Sequence, residues 1–446
     1  MDSRAAADYV LALAREQHCP DVDVLLGRSE SLSVRILRGK VEKVDQATSL
    51  GLGVRVVNGG RTGLAYTERL LPEAIERAFA AARENAELQD PTEVLLPEAP
   101  PAVPDPQTLG LYNPALDALG VDDLAAFGLE AEAAALGADK RAKVVNYLGV
   151  TRGQSTYRIV STRGVAYEQR QNSVSAYCGV LLEQDGQRKS GGKFWSRRAW
   201  SPQAAAEMGR EATARGAGLL GAKPIAQGVL PVVLDEVCAP ELLAMYFGAF
   251  SGEAAQKGQS RLKGKLGERV AVPGLTLRDD PHLAGAPASR FLDAEGTPTA
   301  PMPLIEGGVF RNFMYHVESA RKEGRASTGH ASRSYSGGIG TRSHNLVLTL
   351  GEHDAVGLAA LPERCLLVTE LEGGAGCNPL SGDISIGVQG YLVQGGRRVQ
   401  PVDSVTIAGN FFDVLKNIRA FGNTVQSNLT SLFIPALLID GLTVSS

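Results

Sequence analysis

Across residues 1–222, apolar and polar positions alternate in runs separated by short polar or glycine-bearing breaks. Period-two runs at 22–27, 31–38, 41–48, 51–58 and 61–67 predict strands. The pattern returns at 143–151, 155–161, 165–171, 173–184 and 187–195. Stretches of helical spacing bracket each set. Residues 6–15 put Tyr9, Val10, Leu13 and Ala14 on one face, and 72–85 begins with Pro72, which suits a first turn. Residues 121–136 and 202–219 bracket the second set. The phrase at 27–36 recurs loosely at 151–159, which predicts a diverged repeat. The units would be 1–92 and 116–222, joined by the extended connector 95–106 with Pro97, Pro100, Pro101, Pro104 and Pro106. Beyond 223 the strand-like runs shorten, at 229–234, 346–350, 365–371, 384–393 and 404–409, with helices expected at 239–250 and 411–420. The expected fold class is α+β. An N-terminal domain, 1–222, holds two repeated helix–antiparallel-sheet–helix units, and a strand-rich C-terminal domain covers 223–446.

Composition changes this picture little. Of the 446 residues, 44% are hydrophobic and 21% charged, as in an ordinary globular protein. A formal charge of −4 removes the electrostatic case for a nucleic-acid partner. The basic clusters Arg321, Lys322, Arg325 and Arg261, Lys263, Lys265 read as solvated faces. No run approaches the roughly 20 apolar residues of a membrane span, and the N-terminus reads as a polar amphipathic helix rather than a signal peptide. Cys19, Cys178, Cys238, Cys365 and Cys377 are scattered without CxxC spacing, which fits a reducing, cytoplasmic setting.

Candidate chemistry is thin. Residues 242–250 are apolar almost all round, the pattern of a helix buried in a core or an interface. The histidines His18, His282, His316, His330, His344 and His353 give no i,i+4 pair. His316 and Glu318 would share one side of a strand and could do acid–base work, and His330 reads as part of a flexible polar loop. Cys377 lies in the glycine-rich stretch 372–383 between two expected strands, a hairpin loop or the lining of a groove. No neighbouring base activates Cys377, and Ser381 and Asp383 suit a turn as well as catalysis.

An ordered set of phrases resembles the TldD/PmbA family, whose members are often called modulators of DNA gyrase. The set includes Glu295-Gly296-Thr297-Pro298-Thr299, Leu304-Ile305-Glu306-Gly307-Gly308-Val309, Ser327-Thr328-Gly329, Ser381-Gly382-Asp383, Thr406-Ile407-Ala408-Gly409-Asn410 and Ile439-Asp440-Gly441-Leu442. The family pairs a zinc-protease half, whose helix reads His-Glu-x-x-x-His, with a non-metal half. Here those positions fall on Ala244, Met245 and Ala249, which offer neither ligand nor base. The metal half also uses a cysteine before the C-terminal Ile-Asp-Gly-Leu, and 425–433 holds none. The resemblance therefore implies a PmbA/TldE-type subunit with no metal of its own. Its partner would be a TldD-type homologue carrying zinc, and together they would act on unfolded or short peptides. Cys377, Ser381, Gly382 and Asp383 are then candidates for the peptide groove. A stand-alone peptide-binding homo-oligomer, a metal-independent hydrolase and a purely structural partner stay open as alternatives.

Overall fold

The computed structural model describes residues 1–92 and 94–445. Its first half is built on one antiparallel sheet of β1 (Asp21–Leu37), β2 (Lys40–Asn58), β3 (Arg61–Thr67), β4 (Ala142–Ser161), β5 (Ala166–Gln184) and β6 (Gln187–Arg197), in the order β3-β2-β1-β4-β5-β6. Two three-stranded meanders thus meet at β1 and β4, in register from Asp23↔Ser161 to Ile36↔Leu148. The strands are longer than the alternation predicts. Runs expected to be separate, such as 22–27 and 31–38, or 143–151 and 155–161, are single strands. The polar breaks mark where the sheet leaves its core rather than where it ends. There Ser29 and Ser49 bond across β1 and β2 at 2.7 Å, so the ladder continues through exposed ground.

Four helices cover one face: α1 (Ser3–Glu16), α2 (Pro72–Glu87), α3 (Val121–Ala138) and α4 (Ala204–Leu219). The Asp2 carboxylate caps α1 by accepting the Ala5 N–H at 2.8 Å. Val10 and Leu13 of α1 pack with Val22, Val24 and Leu26, while Phe127 of α3 packs with Val150 and Trp195. Alternation sends Leu25 to the opposite face, where it meets Ala294, Ala331 and Tyr335 of the second half. Backbone comes so close there that a Cβ on Gly53 would lie 2.2 Å from the Tyr335 carbonyl oxygen.

In the second half, β7 (Gly228–Leu234), β14 (Arg364–Glu372), β15 (Asp383–Gln394), β16 (Arg397–Asn410) and β19 (Leu437–Ser445) pair in sequence. The pairing β16–β19 closes them into a barrel, which removes most free edges. The strand β17 (Ile418–Phe421) adds to β19. A smaller sheet, ordered β10-β9-β8-β13-β18, is made of β8 (Leu277–Asp279), β9 (Met302–Glu306), β10 (Val309–Phe310), β13 (Leu346–Leu348) and β18 (Leu432–Phe433). A short hairpin pairs β11 (Ala331–Ser332) with β12 (Gly340–Thr341). The molecule is α+β with a strand-rich C-terminal half.

Three expected elements differ. The helix over 239–250 is broken into α5 (Cys238–Ala244) and a 3-10 turn, Phe247–Phe250. Tyr246 stacks on Phe411 with centroids 4.9 Å apart, while Phe250 packs edge-on against Phe310, so two aromatic anchors on different walls outweigh helical continuity. After Phe250, α6 (Gly252–Gln256) starts afresh on the Ser251 cap. The helix over 411–420 stops as α9 (Phe411–Asn417), because 418–421 joins β19 as β17. Residues 316–318 are not a strand: His316 caps α7 (Val317–Arg321), where the Ser319 side chain accepts the His316 N–H at 3.1 Å. The helix α8 (Ala355–Ala360) lies against β14, its Leu358 beside Cys365 and Leu367.

Candidate functional site

The start of α5 is fixed by Asp235, whose carboxylate accepts the N–H groups of Val237 and Cys238 at 3.0 and 2.8 Å. The helix then runs along a cleft of about 600 Å³ between the two halves of the molecule. One wall is β5 and β6 with Tyr177, Lys193 and Phe194. The other is α5 with Glu241, β14 with Thr369 to Leu371, and residues 424–428. Asn428 stitches that last segment to the first sheet, accepting the Ser196 N–H at 3.1 Å and donating to the Phe194 carbonyl at 3.1 Å. So the segment in which the resemblance places a cysteine ligand shares a cleft with α5.

Zinc does not fit here. Ala244 is exposed, Met245 half-buried and Ala249 buried, and none carries a donor. The cleft carboxylates do not replace one. Glu241 is raised above the ordinary carboxylate range by burial and then by Asp235, and Glu370 by burial and then by Glu372. Glu370 keeps contact with solvent, so its concave surroundings rather than full enclosure resist its charge. What the cleft does offer is backbone. The parallel pairing of β14 with β7 ends at Val368↔Leu234, so residues 369–372 pair only with β15. Thr369 sits at a bulge with no partner in that register.

The loop 372–383 folds back over the end of α5. The Met245 side chain lies against Gly374, and the Tyr246 hydroxyl donates to the Asp383 carbonyl at 2.8 Å. Ser381 Oγ donates to Asp383 Oδ2 at 2.6 Å, and Asn410 donates to Asp383 Oδ1 at 3.1 Å. These bonds, Ser381 first, hold Asp383 below the usual carboxylate range. Gly382, at φ +81°, makes the turn into β15. Cys377 Sγ is 3.9 Å from the Ser385 carbonyl, and among the described residues no imidazole bonds to it. The arrangement is a hydrogen-bonded turn rather than a nucleophile with its base. His316 and Glu318 are not an acid–base pair either. His316 Nδ1 is 3.0 Å from Thr341 Oγ1, while Glu318 points outward to Lys322 at 2.6 Å.

A second cluster escapes the sequence reading. His330, expected in a flexible loop, is fully buried, with Nε2 2.9 Å from Asp279 Oδ2. His344 Nδ1 reaches the same oxygen at 2.8 Å, and its N–H donates to Asp279 Oδ1 at 2.7 Å. Burial alone would raise Asp279; the bonds from His330 and His344 outweigh it and bring the carboxyl to about 2. Burial pushes His344 down to about 4 against the pull of Asp279. A third polar centre joins the two halves. Arg55 Nε donates to Asp23 at 2.7 Å, Arg55 Nη1 donates to Glu295 at 2.6 Å, and Arg333 pairs with the other oxygen of Asp23.

Comparison with known proteins agrees with this layout. Family models match three stretches: PmbA/TldA metallopeptidase domain 1 over 22–86, the central domain over 114–220 and the C-terminal domain over 227–446. The chain is 29% identical over 441 residues to Metalloprotease PmbA of Escherichia coli O157:H7, covering 94% of this chain and 92% of that one. It is also 25% identical over 427 residues to a Metalloprotease TldD homolog of Haemophilus influenzae, covering 88% and 86%. A solved structure from Thermotoga maritima, described as a candidate modulator of a DNA gyrase, superposes with a TM-score of 0.90 at 27% identity over the full length of both chains. Among the described residues no helix is long and apolar enough to cross a membrane. With three family models spanning most of its length and homologues aligned end to end, the chain belongs to the TldD/PmbA family.

Proposed function

We propose that this chain is the non-catalytic subunit of a cytoplasmic TldD/TldE-type peptidase, with no metal in its cleft. It completes a peptide channel with a homologous partner that carries the zinc. The observation that carries this reading is the cleft beside α5. Ala244, Met245 and Ala249 leave it without a ligand set, yet it keeps an unpaired strand edge at 369–372. An extended peptide can add to such an edge through main-chain hydrogen bonds, which read backbone rather than side chains. This suits unfolded or short substrates and needs no catalytic group here. Cys377, Ser381, Gly382 and Asp383, in the loop over the end of α5, would border the bound peptide.

The test is reconstitution with a zinc-bearing homologue from the same cell and an unstructured peptide as substrate. The expected result is cleavage by the mixture, none by this chain alone, and loss of cleavage when the partner's zinc is chelated. Cleavage by this chain alone that survives chelation overturns the reading in favour of a metal-independent hydrolase. Tight peptide binding without any association between the chains favours the stand-alone binder.

A further inference from the structure

The buried cluster of Asp279, His330 and His344 has no part in the proposed cleft chemistry. Its three donor atoms lie within 4.8 Å of one another, and the exposures of the residues are 0%, 0% and 5%. They come from three segments, the end of β8, the turn before β11 and the turn before β13, so no local motif explains their meeting.

The charge balance separates this cluster from the molecule's other buried centre. Asp23 and Glu295 are matched by the guanidinium groups of Arg55 and Arg333. Asp279 has no such match among the described residues, since its ion contacts are the two imidazoles alone. The Asp279 carboxylate is thus buried with two imidazoles and the His344 backbone N–H as its partners and no guanidinium or ammonium, a place where a bound cation would add the missing charge.

We propose that Asp279 Oδ2, His330 Nε2 and His344 Nδ1 bind a first-row divalent transition-metal ion, with zinc the leading candidate. Two imidazoles and one carboxylate are a borderline-soft donor set suited to such ions. Bonds of about 2.0–2.2 Å would require the present 2.8 and 2.9 Å separations to open only slightly. The surroundings already orient the ligands. His344 N–H holds Asp279 Oδ1, and Thr328 Oγ1 sits 2.8 Å from His330 Nδ1. The Thr328 hydroxyl can instead donate to the Tyr315 carbonyl at 3.1 Å, leaving its oxygen to accept from His330 Nδ1–H and freeing Nε2 for a metal.

The consequence is structural. His330 and His344 are the two ends of an arm whose Arg333 enters the Asp23 cluster and whose Tyr335 lies on Gly27, Gly51 and Gly53 of the first sheet. A metal at Asp279 clamps the base of that arm and so the contact between the halves of the molecule.

The experiment uses the full-length chain without a partner, so its failure leaves the cleft reading untouched. The chain is stripped with a chelator, then titrated with zinc or cobalt(II), following thermal melting, bound metal, visible cobalt absorption and X-ray absorption fine structure. The expected result is one ion per chain with two imidazole ligands, a melting temperature that rises with added metal, and loss of the ion in Asp279→Asn. No bound ion and an unmoved melting temperature would overturn the proposal, leaving a triad closed by hydrogen bonds alone. So would an ion with fewer than two imidazoles, or one that Asp279→Asn retains. Should Asp279→Asn fail to fold, the ligand count on the unmodified chain decides.

Discussion

The cleft beside α5 and the buried ground where the second half docks on the first sheet treat polar groups in opposite ways. At the cleft, ionisable side chains such as Arg215, Glu241 and Glu370 keep contact with solvent, and, among the described residues, 369–372 of β14 have no strand partner on the β7 side. At the docking face, charged groups are sealed away and paired with one another, as Arg55 pairs with Asp23 and Glu295. The difference is one of task. An open backbone edge can accept many sequences, whereas matched buried charges fix a single geometry. Substitutions at the two places are therefore expected to have different signatures.

The largest effect is expected at the docking face. Arg55→Met strands Glu295 in the interior, leaves Asp23 with Arg333 alone, and should cost about 3–5 kcal/mol in urea unfolding. A loss below about 1 kcal/mol, the range of an exposed ion pair, would mean water reaches this cluster. Next comes the close approach at Gly53. Gly53→Ala drives a Cβ to 2.2 Å from the Tyr335 carbonyl oxygen, so backbone must move. About 1–3 kcal/mol should be lost. Because the clash is with main chain, Tyr335→Ala should not rescue it, whereas it should rescue Gly51→Ala, which meets the Tyr335 ring.

At the cleft, Thr369→Pro removes the N–H of a bulge residue that has no partner in the β15 register, a place where proline is tolerated. Peptide affinity should fall by about tenfold, one hydrogen bond's worth, with thermal stability nearly unchanged. Equal losses of stability and binding would show that Thr369 supports the sheet rather than the ligand. The smallest effect concerns Glu370, whose folded pKa lies above its unfolded value. Such a group contributes stability that is fully present below the unfolded value and lost as pH rises through the folded one. Glu370→Gln should therefore raise the melting temperature at pH 8 and not at pH 4. The gain is on the order of a few tenths of a kcal/mol, given its exposure. A larger gain at acid pH would reverse the sign and the account of that wall.

The same contrast explains what the sequence revealed. The α+β class and the helices around the first sheet follow from periodicity, because each is a local pattern set by one core. That Ala244, Met245 and Ala249 carry no donor is plain from the residue types, whereas their reading as a lost metal site rests on the family resemblance. The strand lengths were not legible: the ladder at Ser29 and Ser49 persists without burial, so no hydrophobic alternation announces it. Nor was the break of α5, which depends on the Phe411 and Phe310 walls that Tyr246 and Phe250 meet. The Asp279 cluster was invisible because His330 and His344 stand 51 and 65 residues from their carboxylate. The β8–β13 pairing brings His344 to Asp279, His330 arrives from the turn before the β11–β12 hairpin, and it reads locally as loop.

The central claim, a subunit with no metal in its cleft beside a zinc-bearing one, is tested most directly by purifying this chain from its own cells without overexpression. Partners would be identified by mass spectrometry, and zinc assigned to each separated chain. The account predicts stoichiometric recovery of a homologue bearing His-Glu-x-x-x-His, whose zinc supports peptide cleavage. Any metal on this chain would then reside at Asp279 and not in the cleft. Recovery of the chain alone, or zinc bound in its own cleft beside α5, would contradict it.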